Sequence, residues 1–207
     1  MIPLLPAALM GYLLGSIPTA WLLVRWKSGT DIRRAGSGNV GTLNSYEVTG
    51  SGLVGVAVLV VDLLKGVLAV ALAERFAGWG TGPAAAAGAV AGHAFPVWLG
   101  FQGGRGLATG AGAMLLLSWP LIAAWGVVWA AAKALLRDVN AANAAATVFL
   151  LLAVALLPDG LLRPVNPGPA AAPVFTGFVL LLLAVILVRL TAPVRAFLRA
   201  RRGGTIR

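Results

Sequence analysis

Long apolar runs alternate with short polar, glycine-rich or proline-rich breaks along this chain. The runs lie at about residues 4–24, 52–73, 83–99, 107–119, 121–136, 144–157 and 173–190. A helix needs roughly 20 apolar residues to cross a bilayer, and shorter runs tilt, break or re-enter. The pattern therefore predicts an all-α fold, a polytopic membrane helix bundle of about seven helical segments.

Residues 107–136 form either one long span kinked at Pro120 or two half-length helices folded back as a hairpin. Charge decides between them. With a hairpin, Lys133 and Arg137 fall on the same side as Arg25, Lys27, Arg33, Arg34, Arg105 and the C-terminal Arg189, Arg195, Arg199, Arg201, Arg202 and Arg207. That gathers 13 of the 16 Lys and Arg on one side, leaving Arg75 and Arg163 opposite and Lys65 inside a span. By the positive-inside rule the crowded side is cytoplasmic and the N-terminus outside.

Composition supports the membrane reading. The chain has 207 residues, is 59% hydrophobic and 11% charged, and has a mean hydropathy of +0.92, whereas a soluble domain carries roughly 25% charge. The net charge of +10 is spread between and after apolar runs rather than gathered on a polar domain. It therefore speaks for topology and anionic lipid, and not for nucleic acid. With no cysteine there is no disulfide, thiolate catalysis or Cys-bound metal. The segment MIPLLPAALMGYLLG lacks the basic start of a signal peptide and is expected to stay as a membrane helix. Pro158 to Pro173 cannot continue a helix and reads as an outer loop. Residues 1–190 are expected to form a single transmembrane domain, and 191–207 a basic cytoplasmic tail. The tail reads as a stop-transfer cluster or as a short amphipathic element at the inner surface. No internal repeat suggests a transporter of inverted halves.

Three clusters expected to be non-helical meet on the cytoplasmic side: Arg33 to Gly50, Gly92 to Thr109 and Arg137 to Asn143. The first holds Gly36-Ser37-Gly38-Asn39-Val40-Gly41. No strand precedes it, so it is not a dinucleotide fingerprint. It reads as a flexible loop or as a backbone cradle for phosphate. The second holds Gly103-Gly104-Arg105-Gly106, close-approach backbone with one cation that can fork onto phosphate oxygens. His93, just before it, is either a packed histidine or a proton-exchanging one. Asp62 and Lys65 share one helix face at i,i+3 inside a span and can neutralise each other; a structural and a catalytic role both fit.

The ordered set GSIPTAWLL, DIRRAGSGNVGTLN, VDLLKG and GHAFPVWLGFQGGRGLATG, between about residues 10 and 140, resembles the bacterial acyl-phosphate:glycerol-3-phosphate acyltransferases. The resemblance implies transfer of an acyl group to the 1-hydroxyl of glycerol 3-phosphate, giving lysophosphatidate in the bacterial inner membrane. It implies phosphate binding at Ser37, Gly38, Asn39, Gly41 and Asn44, and at Gly103, Gly104 and Gly106 beside His93. A third loop, with a serine in the family, falls on Arg137-Asp138-Val139-Asn140, which puts Asn140 in the serine's place. No cofactor or metal is implied. The implied partners are acyl-phosphate, glycerol 3-phosphate, membrane lipids and other enzymes of phospholipid synthesis.

This chain departs from the family pattern where phosphate charge matters. Thr42-Leu43 replaces alanine-threonine, Glu47 replaces an arginine, Gln102 and Arg105 stand near positions usually lysine, and the C-terminal arginine-asparagine-glutamate pattern is missing. One cation exchanged for an anion near a phosphate changes the energy by about 1–4 kcal/mol each way. Arg33, Arg34, Arg105 and Arg137 are the expected compensating cations. His93, Arg105 and Asn140 are expected at the reacting centre. An acceptor less anionic than glycerol 3-phosphate, a silent acyl-phosphate-binding homologue and, more remotely, a small transporter are the alternatives.

Overall fold

A computed structural model describes residues 3–157 and 172–202. Among these residues it has nine α-helices and no strand. The helices are α1 (Leu4–Gly15), α2 (Thr19–Ser28), α3 (Thr42–Thr49), α4 (Gly52–Phe76), α5 (Gly82–Ala94), α6 (Leu107–Leu117), α7 (Trp119–Leu136), α8 (Val139–Leu156) and α9 (Ala172–Arg202). Taking α1 with α2, and setting the short α3 aside, the seven apolar runs each become helix. Most of the expected outer loop before Pro173, with Arg163 and Arg207, lies outside the described residues.

Five stretches are long and apolar enough to cross a membrane: Leu4–Ser28, Gly52–Phe76, Trp119–Leu136, Val139–Leu156 and Ala172–Arg202. The first is broken, because Pro18 has no N–H to continue the ladder. Within this break the Ile17 carbonyl accepts from the Thr19 N–H at 3.0 Å and from the Lys65 ammonium, which also pairs with Asp62 at 2.7 Å. The i,i+3 pair is thus a buried ion pair that also serves a helix break. The third run, expected to reach residue 99, is helical only to Ala94. Pro96 bars the residue before it from the helical region. Helix α3 forms inside the first cluster expected to be non-helical, α5 and α6 reach into the second, and α8 starts at Val139 in the third. Helix α9 runs on through Pro193 to Arg202.

Helices α6 and α7 form a hairpin, but only α6, at 11 residues, is half-length; α7, at 18, is long enough to cross. Arg105, just before α6, is hydrogen bonded to Asn140 in the first turn of α8. Helices α6 and α7 placed end to end would separate these residues by more than about 40 Å at 1.5 Å per residue.

Close packing of α1 on α5 depends on absent side chains. A Cβ on Gly11 or Gly15 would stand 2.1 or 2.0 Å from the carbonyl oxygens of Ala85 and Ala89. Gly88 and Gly92 meet the carbonyls of Ala8 and Tyr12 in the same way, at 2.0 and 2.1 Å. Both helices therefore carry small residues at i and i+4, the spacing that lets backbones touch inside a bilayer. Around this pair α9 packs Phe175, Val179, Leu182 and Ile186 against Val90, Met114, Leu117 and Leu150.

Candidate active site

The loop from α2 to α3 is built by its own polar side chains. Asp31 caps the turn Ile32–Arg34 and accepts from Arg33 Nε at 3.0 Å and Nη2 at 2.6 Å. The Arg33 guanidinium beside it holds the Asp31 carboxyl down to about 2. Arg33 Nη1 also donates to the Leu99 carbonyl at 3.2 Å, tying this loop to the Val97–Leu99 turn. Asn44 is 1% exposed. Its Oδ1 accepts from the Ser37 N–H at 2.9 Å, and its Nδ2 faces the carbonyls of Ile32, Ala35 and Asn39 at 3.0–3.3 Å. Asn44 thus lies beneath the glycine loop as its clasp, and Ser37 is exposed on the loop's outer side.

Above that clasp opens a cavity of about 320 Å³, lined by residues from six helices and their caps. Gly41, Thr42 and Leu43 are the head of α3; Gly106, Leu107 and Ala108 are the head of α6; Val139 and Asn143 lie in the opening turns of α8. A helix head carries amides that its own backbone leaves unpaired, and about half a positive charge. Two such ends, those of α3 and α6, open on one space, while the head of α8 beside them is capped by Asp138, whose Oδ1 accepts from the Ala141 N–H at 2.7 Å. Gly106 makes the α6 end possible, since φ 82 at its start favours a residue without a Cβ, and a Cβ there would stand 2.8 Å from Val90 Cγ1.

Asp62 and His93 close the deep wall. Asp62 lies ten residues along α4, about 15 Å below its start. His93 Nδ1 is 3.7 Å from Asp62 Oδ1, too long for a direct hydrogen bond, and its side chain is 9% exposed. Gly103 and Gly104 pack behind it. A Cβ on Gly104 would stand 2.1 Å from His93 Nε2, and one on Gly103 would stand 2.1 Å from the His93 carbonyl oxygen. The Gly104 N–H donates to that same carbonyl at 3.0 Å.

Arg105 faces the cavity and is bonded through Nη1 to Asn140 Oδ1. Burial first, then repulsion from the nearby Arg189, lowers its pKa from that of a free guanidinium, while Asp138 and Glu47 oppose the shift. Arg189 reaches over from α9, donating through Nε to the Gly104 carbonyl at 3.0 Å and through Nη2 to that of Gly103.

The structure thus brings Asn39, Gly41, His93, Arg105 and Gly106 to one cavity, with Asn140 one hydrogen bond away. Gly103 and Gly104 stand behind His93 as close-packed backbone. Gly38 belongs to the loop, where its N–H bonds the Ala35 carbonyl. Of the expected compensating cations, Arg33 is taken by Asp31 and Leu99, and Arg34 and Arg137 are exposed. Sequence reasoning missed Arg189, Thr42, Asn143 and Trp125. Asn143 lay inside a cluster already singled out. For Arg189 the signal was a cation within an apolar run, read only as a topology marker.

The family model described as Glycerol-3-phosphate acyltransferase matches residues 5–199. The chain is 43% identical to a glycerol-3-phosphate acyltransferase of Erythrobacter litoralis over 146 residues, 69% of this chain and 71% of that one. It is 43% identical to one of Gluconobacter oxydans over 156 residues, 74% of this chain and 73% of that one. Its fold is similar to PlsY (YgiH), an integral membrane glycerol 3-phosphate acyltransferase solved in its glycerol 3-phosphate form. That match has a TM-score of 0.77 at 29% identity and covers 96% of this chain and 93% of the other. The lysphosphatidic acid form of PlsY matches with a TM-score of 0.73 at 28% identity, over the same shares. The chain is a multi-pass membrane acyltransferase, and it belongs to the glycerol-3-phosphate acyltransferase family.

Proposed function

We propose that the cavity transfers an acyl group from acyl-phosphate to the 1-hydroxyl of glycerol 3-phosphate, giving lysophosphatidate. The observation that carries this reading is the convergence of the α3 and α6 helix heads on a cavity that also holds Arg105. Both substrates are phosphate monoanions or dianions, and two positive helix ends beside a guanidinium suit them. The acceptor oxygen attacks the carbonyl carbon, the bond from that carbon to the phosphate oxygen breaks, and phosphate departs with the electron pair. The hydroxyl proton passes to His93. Arg105 and the amides at the helix heads stabilise the negative charge as it moves. The acyl chain has an apolar route: beyond Leu107 and Trp125 a crevice continues between Met114, Ile122, Leu150 and Ile186.

The site end faces the cytoplasm of a bacterial inner membrane, with the N-terminus outside. This follows from the basic residues collected there and the positive-inside rule. Anionic lipid and other enzymes of phospholipid synthesis are the partners implied.

One observation favours a second acceptor. Glu47, exposed on α3, acts on the charge of Arg105 and so competes with an acceptor phosphate for it. A less anionic alcohol would escape that competition.

Purified protein in detergent, given long-chain acyl-phosphate and glycerol 3-phosphate, is expected to form lysophosphatidate by mass spectrometry. Turnover only with an uncharged alcohol would replace the acceptor. Saturable acyl-phosphate binding without turnover of any alcohol would overturn the enzyme reading. Arg105→Ala is expected to lower the rate by about a hundredfold or more, from lost charge at the reacting centre and the lost tie to Asn140. An unchanged rate would remove Arg105 from the mechanism.

A further inference from the structure

Arg189 is an arginine within the apolar stretch of α9, and three described contacts hold it. Nε donates to the Gly104 carbonyl at 3.0 Å, Nη2 donates to the Gly103 carbonyl, and the guanidinium lies 5.5 Å from the centre of the Phe95 ring. Its partners flank the reacting residues on both sides. Phe95 follows His93 by two positions, and Gly103-Gly104 immediately precede Arg105. The Gly104 N–H returns a bond to the His93 carbonyl, so one guanidinium closes a ring from α9 through the glycine loop to the end of α5.

The fork is specific to arginine. Its planar guanidinium can address two successive carbonyls at once, which a single ammonium cannot reproduce. Among the described residues no carboxylate pairs with Arg189. Carbonyl dipoles and a ring face are thus its described partners, and both Nη1 donors have no described protein partner. A cation held within a membrane helix is costly and is kept where it serves a site.

We propose that Arg189 is a positioning residue that clamps the Gly103-Gly104 backbone against His93 and thereby aims Arg105 into the cavity. This rests on the acyl-transfer reading for its kinetic consequences, but not for the clamp itself. The expectation is a kcat effect, because a misplaced Arg105 and His93 impair the transition state more than the resting complex.

The test compares wild type with Arg189→Lys and Arg189→Met in detergent, checked for a single size-exclusion peak. Acyl transfer and hydrogen–deuterium exchange over residues 103–107 are both measured. Both variants are expected to lose about tenfold to a hundredfold in kcat, the range for hydrogen bonds to a charged group, with a smaller change in KM. Both are expected to exchange faster at the Gly104 amide. Full rescue of kcat by lysine would show that charge alone matters and overturn the clamp. Wild-type exchange at Gly104 in Arg189→Met would overturn it too, whatever the activity. If wild type turns over no acceptor while the variants still exchange faster, the clamp stands and the acyl-transfer reading falls.

Discussion

Asn44 and Asp31 show how much of a site is spent on building itself. Both lie in the segment whose glycines suggested phosphate contacts, yet both point their polar atoms at the loop. Asn44→Ala leaves several loop carbonyls and the Ser37 amide without their buried partner, at a cost of about 1–3 kcal/mol. The expected outcome is a lower thermal midpoint together with reduced acyl transfer, and an unaltered midpoint would refute the clasp. For Asp31 the sign follows from its depressed pKa. A carboxyl held at about 2, against 3.8 for the free group, adds stability in full above that higher value and loses it as pH falls toward 2. The difference in midpoint between wild type and Asp31→Asn is therefore expected to be constant from pH 7 to about 4 and to shrink below it. A difference that vanishes already near pH 6 would sink this account. Residue types and order were enough to locate this loop. Whether a polar atom faces ligand or backbone depends on a fold that closes over many residues, and that was not legible.

Elements were easier to read where they met lipid than where they met one another. The apolar runs marked the helices because lipid solvates any apolar side chain, so the bilayer imposes a length rule that a sequence displays. The ends at Ala94 and Gly15 were misjudged, although Pro96 and Pro18 stood in plain view as breakers. Least visible was the α1–α5 seam. Gly11, Gly15, Gly88 and Gly92 carry the small-residue spacing of a tight helix pair, but four glycines among 27 do not announce which helices they join. Valine at position 88 would place its Cβ against the Ala8 carbonyl oxygen. Gly88→Val is expected to destabilise the fold by about 1–3 kcal/mol or more, since helix backbones yield less readily than side chains. Gly126→Val, where a Cβ meets nothing within 4 Å, is the control and should melt like wild type. Equal midpoints for the two variants would contradict the seam.

For the whole molecule, the one-sided distribution of charge predicted which loops would meet, and contacts over long sequence separations bear it out. Arg33 reaches Leu99, Arg105 reaches Asn140, and Arg189 reaches Gly103 and Gly104. Helix α4 leaves that end and rises about 37 Å over its 25 residues, which carries Arg75 to the opposite end. A chain without cysteine makes the orientation easy to test. Arg34→Cys is expected to react with a membrane-impermeant maleimide only after the cells are opened, and Arg75→Cys in intact spheroplasts. The reverse pattern would invert the topology.

The shortness of α5 has a consequence for how this chain enters a membrane at all. At 13 residues it rises only about 20 Å, so it cannot cross a core of about 30 Å by itself. Its alanines and glycines gain little from lipid, and nearly all of them are buried against neighbouring helices. Such a segment has scant reason to leave the insertion machinery alone. It would be carried in by α1 and α4, already in place, which makes the placing of His93 near its end an act of assembly rather than of independent insertion.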